Sequence, residues 1–376
     1  MGHLTCKGDL MKIRGVNLGN WLVLEKWMGD SPLSQSEVSQ DDHDLVNEYA
    51  SDPDLLYEKL EEFRSSYVTR DTIVWLKEQG CNVVRVPIPY HICGSEHHKS
   101  CSRHLNNLFD WCDEIGMNVL IDLHTVQGSQ NGTDCGGYIG LCTWHQSQDR
   151  VERTLALLER ICGRYAGRPS FWGITPLNEP AVKKMIETQR KRYAKTRKWQ
   201  TEVSTAPTRK FLMQFYEDFY RRVRPIVGDD VSIVLHDHYF LPAWNRFMVG
   251  PQYKNVVMDT HRYPAGKWFM RGKGLDKIIE CVGEYGDEIA ECAKYHPVIV
   301  GEWSLECYAP DVKGASPDEK RKMMRRYADA QIDAWDNSLG GCFWSLRANS
   351  DEDWAKEGWS FIDCWADGWV DLHHGI

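Results

Sequence analysis

The chain has 376 residues, 42% hydrophobic and 11% aromatic, which is enough apolar mass to build a sizeable core and exclude intrinsic disorder. A formal net charge of -9 excludes a general nucleic-acid binder, and no run approaches the roughly eighteen apolar residues needed to span a bilayer. No nucleic-acid partner and no stable membrane anchor are therefore expected, and the length admits either two domains or one large α/β barrel.

From the start of the chain, Met1 to Lys12 lack the apolar run of a secretory signal. The thirteen cysteines follow no Cys-x-x-Cys or disulfide-framework spacing. Most are expected to be free, buried thiols of a reducing compartment, and the protein to be cytoplasmic. Cys135 and Cys142 bracket a Gly-rich loop and could pair only in an oxidising compartment. The segment from Cys93 to Cys101 holds His97 and His98 but matches no familiar zinc-ligand spacing, so it reads as a polar loop.

Eight short β-branched runs recur, at 12–17, 81–87, 117–124, 171–178, 231–236, 255–261, 297–302 and 341–346. Several are continuously apolar, as strands buried on both faces are. Amphipathic helices are predicted at 69–79, 103–115, 149–165, 208–227, 276–294 and 316–338, the last opening with Ser316 as N-cap and Pro317 at its first position. The helix between the fifth and sixth strands is poorly marked. This alternation predicts a single (β/α)8 TIM barrel domain over 1–376, with long loops at 18–67 and 179–207. No glycine-rich nucleotide fingerprint competes with it.

In such a barrel the chemistry collects where strands run into the following loops. Those ends carry Arg85, His124, Asn178, Glu179, His236, Asp237, His238, His261, Glu302 and Trp344. Two carboxylates across a barrel mouth suit glycoside hydrolysis, one protonating the leaving oxygen and the other attacking the anomeric carbon. Arg85 is placed to hold Glu302 ionised, and a less polar setting to keep Glu179 protonated. Metal-assisted hydrolysis through His124, His236, His238 and His261 is the rival chemistry; no metal and no cofactor are expected.

The chain resembles glycoside hydrolase family 5, nearest its exo-β-1,3-glucanase branch. The resemblance rests on Arg14-Gly-Val-Asn-Leu-Gly-Asn-Trp-Leu-Val-Leu-Glu25, Asn82-Val-Val-Arg-Val-Pro87, Ile121-Asp-Leu-His124, Gly128-Ser-Gln-Asn-Gly132, Leu177-Asn-Glu-Pro180, Asp259-Thr-His-Arg-Tyr263 and Val300-Gly-Glu-Trp-Ser304. It implies Glu179 as general acid/base and Glu302 as nucleophile. Asn178 would bind the sugar 2-hydroxyl, Arg85 and Tyr263 would orient Glu302, and His261 would lie near the reacting sugar. Trp344 would form an apolar platform, with Glu25 and His124 on outer hydroxyls and Asn131 nearby. The implied activity is a retaining β-glycosidase, exo-acting on terminal β-glucosyl residues of oligosaccharides or glycosides. The alternatives are a β-mannosidase, an endo-glucanase or a glucosylceramidase-like enzyme on the same barrel, or a catalytically silent carbohydrate-binding barrel.

Two segments depart from that branch. The stretch 183–210 carries ten Lys/Arg against Glu187 and Glu202, which reads as a solvated helical insertion or, more sharply, as a surface that would favour an anionic leaving group or self-association. The segment after Trp344 adds Trp354, Trp359, Trp365 and Trp369, read as a sugar-stacking surface.

Overall fold

The computed structural model describes residues 12–375, apart from the side chain of Trp268. The first eleven residues, on which the expectation of no secretory signal rests, lie outside the described residues. Eight parallel strands close into a barrel in sequence order: β1 (Ile13–Asn17), β2 (Val83–Ile88), β3 (Asn118–Leu123), β4 (Phe171–Thr175), β5 (Ser232–His236), β6 (Val256–Arg262), β7 (Val298–Trp303) and β8 (Gly340–Phe343). The fold is the (β/α)8 barrel that the alternation predicts.

The predicted helices form at Arg70–Glu78, Ser102–Ile115, Gln148–Tyr165, Arg209–Val227, Leu275–Cys292 and Pro317–Trp335. Ser316 and Glu319 make a reciprocal capping box at the last of these, which satisfies two otherwise orphaned backbone donors. Between β5 and β6 lies only the 3-10 turn Leu241–Trp244, among the described residues. The helical insertion expected in 183–210 forms as Lys183–Arg192 and Lys198–Val203, and helices that were not expected lie in the first long loop, at Asp42–Glu48 and Pro53–Tyr67. Asp52 caps the second of these by accepting from the Leu55 N–H, with Pro53 next, the same signal as at Ser316.

The strand period of two sorts the barrel interior into layers. Ile13, Val83, Leu120, Trp172, Val234, Val257, Ile299 and Cys342 form one buried apolar cluster, the barrel floor. Two residues further on, the inward positions turn polar: Arg85 follows Val83, Asp122 follows Leu120, His236 follows Val234 and Asp259 follows Val257. The intervening residues, such as Val84, Val86, Val119 and Ile121, pack in the separate cluster against the helices.

Two strand ends depart from the predicted bounds. β4 stops at Thr175, and the Asn178 N–H donates to the Leu123 carbonyl at 3.0 Å, so Asn178 and Glu179 stand beyond the strand rather than at its end. β8 stops at Phe343, one residue before Trp344. On β7 the register slips around Gly301: against β6 it shifts between Thr260 and His261, so that Glu302 pairs with His261, and against β8 between Val300 and Trp303. Gly301 occupies this irregularity, and a Cβ there would fall 2.2 Å from Asp259 Oδ1. Gly301→Ala is accordingly expected to disturb β6 against β7 and lower the melting temperature, which a thermal melt reads directly.

Candidate active site

Arg85 organises the centre of the barrel mouth. Fully buried, it donates to Glu302 Oε1, Asn17 Oδ1 and Asn178 Oδ1, each at 2.8 Å, and lies 3.1 Å from Asp122 Oδ1. Burial alone would lower its pKa; the Asp122, Glu302 and Asp259 charges reverse that and hold it firmly protonated. The Tyr263 hydroxyl donates to the other Glu302 oxygen at 2.8 Å. Glu302 is thus fixed at both oxygens by partners on β2 and just past β6.

His261 joins the two glutamates. Its Nδ1 lies 2.6 Å from Glu179 Oε1 and 3.3 Å from Glu302 Oε2. Those two oxygens are therefore no more than about 6 Å apart, short of the roughly 6.5–9.5 Å that an inverting enzyme needs for its water. Asp259 backs the ring from the Nε2 side at 3.6 Å.

The charges of the unliganded pocket correct one expectation. Burial would raise Glu179, but the hydrogen bond and charge of His261 outweigh it and hold the carboxyl down at about 2, ionised rather than protonated. Burial, aided by the Glu179 charge, lifts Glu302 above the usual carboxylate range against the pull of His261 and Arg85. His261 itself is depressed by burial but raised far more by Glu302, Asp259 and Glu179, so its pKa lies well above the ordinary 6.5.

These directions fix a pH dependence of stability. A lowered carboxylate stabilises above its usual 4.5, and that contribution is lost as the pH falls towards about 2. A raised histidine stabilises fully below its usual 6.5, and that contribution fades as the pH climbs through the raised value. In His261→Asn the alkaline decline of the melting temperature should flatten and the acid decline should begin at higher pH. Melts from pH 3 to 10 test this, and superimposable profiles would refute it.

The outer wall comes from the first and third loops. His124 Nδ1 lies 2.6 Å from Asp122, its Nε2 3.6 Å from Glu25 Oε1, and its ring stacks on Trp344 with 5.6 Å between centroids. Glu25 is buried and accepts from the Trp27 indole at 2.7 Å. Asn131 is buried, and its amide donates to the Glu179 backbone carbonyl at 3.1 Å, which places it behind the glutamate. The structure therefore brings Arg85, His124, Asn178, Glu179, His261, Tyr263, Glu302, Trp344 and Glu25 into one connected cluster at the barrel mouth.

Of the four histidines weighed as metal ligands, only His236 and His261 meet, with Glu179, their ligand atoms within 4.8 Å of one another. His238 turns away to the Ala181 carbonyl. The tryptophans after Trp344 also divide. Trp354 and Trp359 pack with Trp27, and Trp359 with Tyr263, as an aromatic wall beside Trp344. Trp365 instead packs edge-to-face against Trp75 of an outer helix, and Trp369 lies under Lys320, so neither is part of that wall.

Several groups escaped the sequence reading. Asn17, Asp122 and Asp259 hold Arg85, His124 and His261 in place; they lie within the motifs of the resemblance and at inward positions of their strands, but no role was assigned to them. Cys135 reaches into the pocket, 3.4 Å from the Asn131 amide and 3.9 Å from Glu179 Oε2, while Cys142 donates to the Gln130 carbonyl; both are free.

A barrel with a carboxylate pair bridged at this spacing, held by an arginine and walled by tryptophans, is a glycoside hydrolase. The chain belongs to glycosyl hydrolase family 5: the cellulase model of that family matches residues 46–350. It is similar to a probable glucan 1,3-beta-glucosidase A of Emericella nidulans, 29% identical over 95% of this chain and 89% of the relative. Glucan 1,3-beta-glucosidase 1 of Schizosaccharomyces pombe is 28% identical over 89% and 83%. Among solved structures, the rutinosidase from Aspergillus niger superposes with a TM-score of 0.76 at 20% identity, covering 96% of this chain and 98% of that one.

Proposed function

We propose that the protein is a retaining, exo-acting β-glycosidase that removes terminal β-glucosyl residues from oligosaccharides or glycosides. The observation that carries this is the single imidazole bridging Glu179 and Glu302, with Glu302 clamped by Arg85 and Tyr263. The names of the glucan 1,3-beta-glucosidase relatives support glucose and a β-1,3 linkage.

Glu302 attacks the anomeric carbon while the leaving oxygen takes a proton from Glu179. His261, one 2.6 Å hydrogen bond away and raised well above its ordinary pKa by the neighbouring carboxylates, would hold that proton beforehand. As Glu302 bonds to the sugar its negative charge disappears, and with it the largest influence that keeps His261 protonated. The proton then passes to Glu179 as the leaving group needs it. In this reading Asn178, held by Arg85, binds the 2-hydroxyl, and Trp344, stacked with His124, takes the sugar face. Glu25 and His124 close the far end, which favours a terminal residue.

Replacing Glu179 with Ala should slow substrates with poor leaving groups on the order of 10³-fold and those with activated aryl groups far less. Added azide should restore turnover and give the β-configured glycosyl azide. An equal loss for both leaving-group classes would remove Glu179 from the acid role. An aryl-glycoside screen over glucose, mannose and galactose, followed by β-1,3-, β-1,4- and β-1,6-linked glucans, decides sugar and linkage. Preferred cleavage inside long chains would instead favour the endo reading.

Two finer readings belong with this proposal. All twelve described cysteines are free and nine are buried, which supports a reducing, cytoplasmic setting; a fluorescent fusion found outside the cytosol would overturn it. In the basic loop, Arg197 pairs with Asp41 and Asp44 and Arg190 caps two carbonyls, but Lys183, Lys184, Lys191, Lys195 and Lys198 stay exposed beside Trp199, itself 63% exposed. Self-association through this loop predicts a dimer by sedimentation that Trp199→Ala dissociates.

A further inference from the structure

Outside the catalytic pocket, a cavity of about 480 Å³ opens between the first, second and third loops. At its wall, Asp42 meets two histidines from the loop after β2. Asp42 Oδ2 lies 2.8 Å from His98 Nε2 and 3.3 Å from His91 Nε2, and the three ligand atoms lie within 4.8 Å of one another. Neither catalytic glutamate lines this cavity.

We propose that Asp42, His91 and His98 form a binding site for a divalent transition-metal ion of the zinc class, with a coordination position left open to the cavity. Three features carry this. Both imidazoles present the same nitrogen, Nε2, to one carboxylate oxygen, at separations close to those between neighbouring ligands around a tetrahedral zinc. His98 Nδ1 contacts Ser95 Oγ at 3.0 Å, the outer hydrogen bond that fixes the tautomer of a metal-bound histidine. Two imidazoles with one carboxylate select a borderline ion such as Zn²⁺ over Ca²⁺ or Mg²⁺, which take oxygen donors.

The empty site also shows what binding must change. The two rings lie stacked, 3.6 Å between centroids and 17° between planes, so their lone pairs do not yet converge on one point. His91 is 5% exposed and set among side chains, whereas His98 stands on the polar 94–99 loop, whose Gly94 has φ 92°. A turn of the His98 ring brings its nitrogen to a shared ion. The metal would then tie the helix Asp42–Glu48 to the loop after β2. Next to it, Asp41 already binds Arg197 of the basic loop and the Ile139 N–H, so the ion would complete a brace around the rim.

The test is calorimetric titration of tag-free, chelator-treated protein with Zn²⁺, and with Co²⁺ for its visible spectrum. One ion per chain is expected, with a Co²⁺ band of a low-coordinate nitrogen-oxygen site and a raised melting temperature. His98→Ala and the conservative Asp42→Asn should each weaken binding by more than the roughly 10–100-fold that even outer partners of metal-bound histidines contribute. His43→Ala and His97→Ala, on the same cavity, should leave it intact. Absence of binding, or equal affinity in His98→Ala and Asp42→Asn, overturns the proposal. So does competition by a sugar-site inhibitor, which would place the ion at the Glu179, His236 and His261 cluster instead.

Discussion

Glu302→Gln should lower kcat on the order of 10⁵-fold while leaving the fold and substrate binding nearly intact. The amide keeps the shape between Arg85 and Tyr263 but has no lone pair basic enough to form the glycosyl ester. Stability should not fall. Burial raises the Glu302 pKa, so holding it ionised near neutrality works against the folded state, and a neutral side chain relieves that cost. The smaller Glu302→Ala, given azide and an activated β-glucosyl fluoride, should yield the α-configured glycosyl azide from the vacated face. Residual wild-type turnover in Glu302→Gln, or a β-configured azide, would defeat the double-displacement reading.

Arg85→Met is expected to be the most damaging single change away from the glutamates. It removes the guanidinium shared by Glu302, Asp122, Asn17 and Asn178, all buried, and leaves the two carboxylates without this cation. Breaking a buried pair in this way costs about 3–5 kcal/mol, so the thermal transition should drop well below the parent's. Loss of the positive charge also raises Glu302 further, which moves the ascending limb of the pH profile of kcat/KM to higher pH. Adding Glu302→Gln to Arg85→Met should recover part of the lost stability, because one orphaned charge disappears. Strict additivity of the two changes would show that the pair is not coupled.

The eight strands and six barrel helices were legible because each carries a local signal: β-branched runs, apolar stripes, and caps such as Ser316. The helices inside the first long loop carry no barrel periodicity and were not legible from it, although Asp52 and Pro53 give the same start signal as Ser316 and Pro317. At the site, the residues on the strand-end motifs were visible, but their supports were not. Asp122 and Asp259 look like ordinary strand residues until parity places them beside Arg85 and His261. The protonation order was misread for a related reason. Which partner wins against burial depends on the 2.6 Å approach of His261 to Glu179, a distance between residues far apart in the chain.

The layering of the barrel interior has a bearing on assembly as well as on catalysis. A strand that paired one residue out of register would swing Arg85 or Asp259 outward against the helices and bring Val84 or Met258 into the mouth. Each such slip strands a charge in an apolar layer and is rejected at a cost of several kcal/mol. The groups that hold Glu302 thus also guard strand registration, and substitutions that neutralise them would remove a safeguard against misfolded barrels.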